Sequence, residues 1–382
     1  MSEYQYNKVT PEMIEKFKEI APKRVLVGDE INEDFTHDEM AIYGKARPEV
    51  LVEATSTEEV AAVVKLCNEN KVPVTPSGAR TGLVGGAVSI GGGVMISLTK
   101  MNKILGYDKE NFVVKIQSGV LLNDLAQDAE KQGLLYPPDP GEKFACVGGN
   151  VATNAGGMRA VKYGCTRDYV RAMTVVLPTG EIVKLGATVS KTSSGYSLLN
   201  LMIGSEGTLG IITELTLKVI PAPKSVISLI IPYENLEDCI ATVPQFFMHH
   251  LAPQALEFME KEVVMDTEKF LGKQVYPKEL EGTEIGAYLL ATFDGNSEEQ
   301  LEDIIEQLVG DIYDESDEVI HEFQKTAPHT YTIAGSFSIN DVCAALEECD
   351  APPQIPETDS TTVGGWIMEL LGHIPESGET AD

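Results

Sequence analysis

Histidine is missing from position 38 through position 248, and tryptophan occurs once, at Trp366. Nowhere do about 18 apolar residues run together, which excludes a membrane-spanning helix. The opening residues, Met1 to Lys8, have neither the apolar stretch nor the cleavage site of a secretory leader, so the chain is expected to stay in the cytoplasm. Cysteine occurs at positions 67, 146, 165, 239, 343 and 349, with no Cys-x-x-Cys pair and no histidine at zinc-finger spacing. That scatter predicts reduced, mostly structural thiols and no metal centre. Bases are scarce: 29 Lys and Arg face 59 Asp and Glu, a net charge of -30. Phosphate binding is built from cations, so the balance argues against a nucleic-acid partner. What remains is a folded chain of 382 residues, 43% hydrophobic, long enough for two or three domains.

The acid is unevenly placed. From Leu301 to Asp382, 19 acidic residues face one base, Lys325, so this segment carries -18 of the net charge and the rest -12. A shift that sharp marks a separate unit. Ahead of it, Thr10, Pro11 and Glu12 read as the cap, first residue and dipole-favoured acid of a short helix to about Glu19, a packing arm. Leu51 and Val52 end a strand. Ser56 and Glu59 then form a capping box before Val60, Val63, Val64 and Cys67 at helical spacing, and a buried strand from Val72 to Thr75 comes next. This order predicts a parallel strand pair. Val94 to Leu98 and Ile211 to Val219 read as strands; Phe112, Val114 and Ile116 alternate as a half-buried one. Leu121 to Gln132 reads as a helix closed by Gly133, and Pro178-Thr179-Gly180 joins a hairpin.

Glycine gathers in three places. The first runs from Pro76 to Ala87, with Gly91 to Gly93 beyond it; the second holds Gly141, Gly148-Gly149-Asn150, Asn154-Ala155-Gly156-Gly157 and Gly164; the third is Gly204 to Gly210. Such loops serve either as tight turns or as concavities whose backbone N–H groups converge on an anion. None is the Gly-x-Gly-x-x-Gly of a nicotinamide site or a phosphate-binding loop of the GxxxxGK type.

Together the clusters resemble the FAD-binding domains of the vanillyl-alcohol oxidase and p-cresol methylhydroxylase type, over about Arg47 to Pro223. The branch most similar is that of the bacterial D-lactate and glycolate dehydrogenase flavin subunits. The family's pyrophosphate loop matches Pro76 to Leu83, its PPDP stretch Pro137 to Pro140, and its GGN, NAGG and YG-TRD elements Gly148 to Asn150, Asn154 to Gly157 and Tyr163 to Asp168. Its IGSEGTLGIIT element is present whole from Ile203 to Thr213. The resemblance implies FAD at Pro76, Ser77, Gly78, Ala79, Arg80, Thr81, Gly82 and Leu83, with the amides of Gly78 to Gly82 on the pyrophosphate. It carries over likewise to Pro138, Asp139, Cys146, Gly148, Gly149, Asn154, Ala155, Gly156, Gly157, Tyr163, Gly164, Asp168, Glu206, Gly210, Ile211 and Ile212. Several relatives tether the flavin through a histidine at about the place of Arg80; with none here, FAD is expected to be non-covalent. Cys165 offers a thioether in principle, against the commoner reading of a packed thiol. Arg80, Arg159, Lys162 and Arg167 lie within the motifs, each open to pairing with a phosphate or substrate carboxylate or to a structural ion pair.

After Ser225, Val226 to Ile231 reads as a strand and Leu236 to Phe247 as a helix. Pro253 to Met259 and Ile285 to Gly295 resemble the opening of the family's substrate cap. The GHxGDGNxH-like run that supplies the family's catalytic histidine and a metal ligand is absent after it, and no catalytic residue is assigned. Leu301 to Glu315 instead resembles the end of a CBS-domain pair, and Thr362 to Trp366 with Leu371 to Thr380 resembles the transporter-associated domain of CorC and HlyC proteins. His249 with His250 reads as a solvated helix end, His321 and His329 have no carboxylate pattern between them for a metal site, and Trp366 reads as a core aromatic of the tail.

The expected architecture is α/β (α+β): a helical arm at 1–46, a two-subdomain FAD-binding fold of the p-cresol methylhydroxylase type at 47–224, a partial α/β substrate cap at 225–300 and a small acidic α+β domain at 301–382. The resemblance implies oxidation of a 2-hydroxy acid, D-lactate or glycolate, by hydride transfer to flavin N5, with electrons passed to an electron-transfer flavoprotein or an iron-sulfur subunit. Two other readings stand beside it: an FAD-binding but catalytically incomplete fusion, and a regulatory protein of the CorC type.

Overall fold

The computed structural model describes residues 6–40, 42, 44–280, 282–309, 323–327, 330–333, 342, 360, 362–371 and 373. The chain forms two compact units, Met1–Ile304 and Ile305–Asp382.

In the first unit α1 (Pro11–Ile20) opens where Thr10 accepts the N–H of Met13, and it buries Met13 and Phe17. Strands β1 (Val25–Val27), β2 (Val50–Glu53), β3 (Val74–Ser77) and β4 (Val94–Ser97) form a sheet of order β1-β2-β4-β3. Both β2 and β3 run parallel to β4, which lies between them, so the parallel order holds while the expected direct pair does not. The strand expected at Val72 starts at Val74, because the N–H of Val72 still closes the preceding helix by donating to Cys67. That helix, α2 (Thr57–Glu69), packs Val60, Ala61, Val63, Val64 and Cys67 onto the sheet. Its capping box is half made. Ser56 accepts from Glu59 N, but the Glu59 carboxylate turns to Thr55 N and to Arg24 at 2.5 Å, since a charge-assisted fork is stronger than one bond to a neutral amide.

The second sheet joins β5 (Ile104–Asp108), β6 (Val113–Gln117), β8 (Val170–Val176), β9 (Ile182–Gly186) and β10 (Ile211–Lys218) in the order β5-β6-β10-β8-β9, antiparallel throughout. Phe112, expected in β6, lies before it at φ 50° and is exposed; the strand begins at Val113, and Val113, Val114, Ile116 and Gln117 are buried while Lys115 is exposed. A short pair, β7 (Leu134–Leu135) with β11 (Ile220–Pro221), and the helix α3 (Leu122–Lys131) complete this layer. Three short helices connect it: α4 (Val147–Thr153), α5 (Ala160–Tyr163) and α6 (Leu198–Met202). Each sheet has its own apolar core, and Val176 and Ile211 of the second belong to the core of the first. A buried bond from Thr57 Oγ1 to Thr213 Oγ1, 2.9 Å, ties the two layers.

Beyond them, β12 (Ser225–Tyr233), β13 (Ala255–Glu260) and β16 (Ala287–Gly295) form an antiparallel sheet with β16 central, connected through α7 (Leu236–Met248) and α8 (Lys261–Leu271). A small ladder, β14 (Glu279–Leu280) with β15 (Thr283–Glu284), precedes β16, and α9 (Glu298–Val309) comes after it. In the second unit the described residues include the hairpin β17 (Phe323–Ala327) and β18 (Thr330–Ile333), and the helix α10 (Val363–Leu371), where Trp366 is half-buried. His321, His329, Cys343 and Cys349, the stretch Gly310 to Glu315 and most of Leu371 to Thr380 lie outside the described residues.

Candidate functional site: a glycine-walled cleft

A cleft of about 390 Å³ opens where the ends of β3, β4 and β6, the start of β10 and the first turn of α4 converge. Its lining includes Pro76, Ser77, Gly78, Ala79, Arg80, Thr81, Gly82 and Leu83 from the loop after β3, Cys146, Gly148, Gly149 and Ala155 around α4, and Glu206, Gly210, Ile211 and Ile212 at β10. Leu98, Ser118, Pro140, Glu142 and Ala145 line it as well, with Asn150, Ala152, Thr153 and Gly207. A more open, more polar depression beside α1 and β1, walled by Pro11, Ile14, Lys18 and Asp29, contains none of the predicted residues.

Pro138, Asp139, Asn154, Gly156, Gly157, Tyr163, Gly164 and Asp168 do not line the cleft. The side chains of Asp139, Asn154, Tyr163 and Asp168 knit the surrounding loops. Asp139 pairs with Lys143 and with Arg159 at 3.7 Å. Asn154 ends α4 in the left-handed region, and its Oδ1 accepts from Arg167 N. Asp168 accepts from Cys165 N, and the Tyr163 hydroxyl donates to Asp294 of β16. Gly157 packs so closely on the Asp139 backbone that a Cβ would lie 2.2 Å from its carbonyl oxygen; the glycine serves a backbone contact.

Of the four cations in the motifs, only Arg80 reaches the cleft. Arg159 and Lys162 are engaged by Asp139 and Asp294, and Arg167 donates to the Ile203 carbonyl. Arg80 has φ 62°; its Nε donates to Asp34 O, its Nη1 to Gly78 O, and its guanidinium stacks 4.0 Å from the Phe35 ring centre. Burial lowers its pKa, though Asp34 opposes that. The arm therefore does more than pack. Asp38, itself buried, accepts from Gly85 N at 2.6 Å, so residues 34–38 hold the glycine loop in shape. No periodicity announces this; the one local sign is the turn in which Asp38 Oδ1 also accepts from Met40 N.

The cleft is lined by one cation and two carboxylates, Glu142 and Glu206, and by no histidine. Cys146 lines it, and burial raises its pKa, so it is a thiol donating to Gly119 O rather than a thiolate. Cys165 does not line it. Among the described residues no cluster of His, Cys, Asp or Glu is arranged to hold a metal ion.

The loop after β3 offers donors to an anion. Among the described residues the backbone amides of Arg80 to Val84 donate to no carbonyl, which leaves them for an anion. At Gly149 a Cβ would meet nothing within 4 Å, so the chain leaves open space at that point of the lining.

Comparison with known proteins agrees. Residues 48–186 match the FAD binding domain family. This part of the chain is similar to FAD binding domains. Residues 222–325 match the C-terminal domain of FAD linked oxidases, and 324–382 the transporter associated domain. A protein of Anaerostipes hadrus named D-lactate dehydrogenase is 99% identical over 307 residues, 80% of this chain and 65% of that protein. D-lactate dehydrogenase of Archaeoglobus fulgidus is 41% identical over 69% of this chain and 58% of its own length; glycolate oxidase subunit GlcD of Bacillus subtilis is 37% identical over 59% and 48%. The chain thus spans less than two thirds of the length of these relatives. Its fold is shared with alkyldihydroxyacetonephosphate synthase (TM-score 0.68, 23% identity, 80% of this chain and 60% of that one) and with p-cresol methylhydroxylase (0.61, 19%, 78% and 65%).

Proposed function

We propose that the protein is an FAD-linked dehydrogenase of a 2-hydroxy acid of the D-lactate or glycolate type, that it holds FAD non-covalently, and that it passes electrons to a protein partner. The observation that carries the reading is the 99% identity to a protein named D-lactate dehydrogenase, in a chain with a cleft suited to a flavin nucleotide.

Bound FAD supplies the two-electron acceptor for the hydride from the substrate's α-carbon. The chain's own residues bind and orient. The free amides of the loop after β3 and the Arg80 guanidinium face the pyrophosphate charge; Gly149 leaves room for close approach; Leu98, Ala145, Ile211 and Ile212 exclude water from the apolar part of the cleft. The other motif residues, Asp139, Asn154, Tyr163 and Asp168, act by holding those loops. No side chain is assigned as the base. Residues 47–224 serve as the flavin domain, 225–300 as the opening of the substrate cap, and 301–382 as a distinct acidic domain.

No helix among the described residues is long and apolar enough to cross a membrane. A cytoplasmic location and an electron-transfer flavoprotein or iron-sulfur subunit as acceptor complete the proposal. The test is the absorbance of the purified 382-residue chain with D-lactate, L-lactate or glycolate added without oxygen. Bleaching of the flavin bands by one acid names the substrate. A flavin that stays oxidised with all three overturns the dehydrogenase reading and leaves an FAD-binding module.

A further inference from the structure

Five buried side-chain polar atoms lack a hydrogen-bond partner among the described residues: Ser89 Oγ, Tyr107 Oη, Ser118 Oγ, Tyr136 Oη and Glu268 Oε2. Glu268 Oε2 lies within ion-pair range of Lys278 at 3.6 Å, and Asp128 acts on the Tyr107 phenol. Ser89 and Tyr136 are away from the cleft lining. Ser118 alone of the five lines the cleft.

Its position is fixed from both sides. Ser118 comes directly after the last residue of β6; its N–H donates to Thr213 O at 3.0 Å and its carbonyl accepts from Gly148 N at 2.8 Å. A Cβ placed on Gly148 would lie 2.4 Å from the Ser118 Cβ, so the serine sits hard against the first turn of α4. The residue is 1% exposed, which denies its hydroxyl the bulk water that would otherwise satisfy it. A buried, unpaired donor held at a cleft wall is unfavourable in itself, and it persists where a ligand completes it.

We propose that Ser118 is a cofactor-binding residue whose hydroxyl hydrogen-bonds to the bound flavin nucleotide. This rests on the reading of the cleft as the FAD site. Ser118 belongs to none of the glycine motifs that mark the site in the sequence. It is placed there by the meeting of β6, β10 and α4, three elements distant in the chain.

The test uses flavin-free full-length protein, with FAD titrated by the quenching of its fluorescence and the melting temperature of each apoprotein recorded. Ser118→Ala removes one oxygen atom. The apoprotein is expected to melt at or above the wild-type temperature, while the Kd for FAD rises roughly five- to tenfold, the loss of one neutral hydrogen bond. Ser118→Gly removes the same oxygen and adds no volume against Gly148, so it decides the matter if the alanine variant does not fold. Wild-type affinity for FAD in a folded variant overturns the proposal, whatever happens to its melting temperature. Failure of the wild-type protein to bind FAD overturns the reading of the cleft as well, so the two failures are told apart.

Discussion

Arg80 is held by two contacts outside the cleft it serves, the Asp34 carbonyl and the Phe35 ring, and by the Gly78 carbonyl within its own loop. As the one cation of the lining, it is expected to carry much of the attraction for the pyrophosphate, and a charge-assisted bond contributes about 1.5–3 kcal/mol. Arg80→Gln should raise the Kd for FAD by roughly tenfold or more, and fluorescence titration at low and high salt should find the penalty largest at low salt. Glu59 offers a pH signature. The Arg24 hydrogen bond holds its carboxyl below the ordinary 4.5, with burial opposing and the Thr55 contacts assisting. A depressed carboxylate contributes stability that is present above its ordinary pKa and is lost as pH falls through the lowered one. Glu59→Gln should therefore cost about 1 kcal/mol at pH 7, and the two proteins should converge at strongly acid pH in urea unfolding curves.

At the scale of elements, the junction between α5 and β16 joins the glycine-rich layers to the sheet of β12, β16 and β13. Lys162 lies 2.5 Å from Asp294, whose side chain is 3% exposed, and the adjacent Tyr163 hydroxyl donates to the same carboxylate. Burial first, then Asp294, raises the Tyr163 pKa, so the phenol remains a donor at neutral pH. Asp294→Asn keeps the shape and removes the charge. It should destabilise by about 1–3 kcal/mol in denaturant unfolding while leaving the Kd for FAD within about twofold, because neither Tyr163 nor Asp294 lines the cleft. The resemblance led to Tyr163 as a flavin residue; in the structure its hydroxyl donates to Asp294. Motif spacing locates a loop but not which of its sides meets a groove, so the sequence did not tell Gly156, Gly157, Gly164 and Asp168, which lie outside the lining, from the motif residues that form it.

For the whole molecule, FAD acts as a stabilising ligand wherever it binds the folded chain and not the unfolded one. At a free concentration of about 100 times its Kd the gain is about 2.7 kcal/mol. For a unit of this size that corresponds to a rise in melting temperature of about 4 °C, measurable by scanning calorimetry with and without flavin. The transition that moves should be the one belonging to Met1–Ile304, since every residue lining the cleft lies there. The strongly acidic segment after Leu301 should leave that shift unchanged.

By itself the sequence determined the main helices, while the class of ligand came from the resemblance of its motifs to a family. Thr10 and Pro11 start α1 and apolar spacing makes α2 and α3, because local propensity is written residue by residue, whereas the glycine clusters alone fit tight turns as well as an anion site. Tertiary structure alone decided what closes the site. The insertion of β4 between β2 and β3, the grip of Asp38 on the loop at Gly85 and the arrival of Ser118 beside Gly148 all depend on contacts between segments distant in the chain. Such contacts leave no periodic trace, since a single aspartate or serine after a strand looks the same whether it faces solvent or a cofactor.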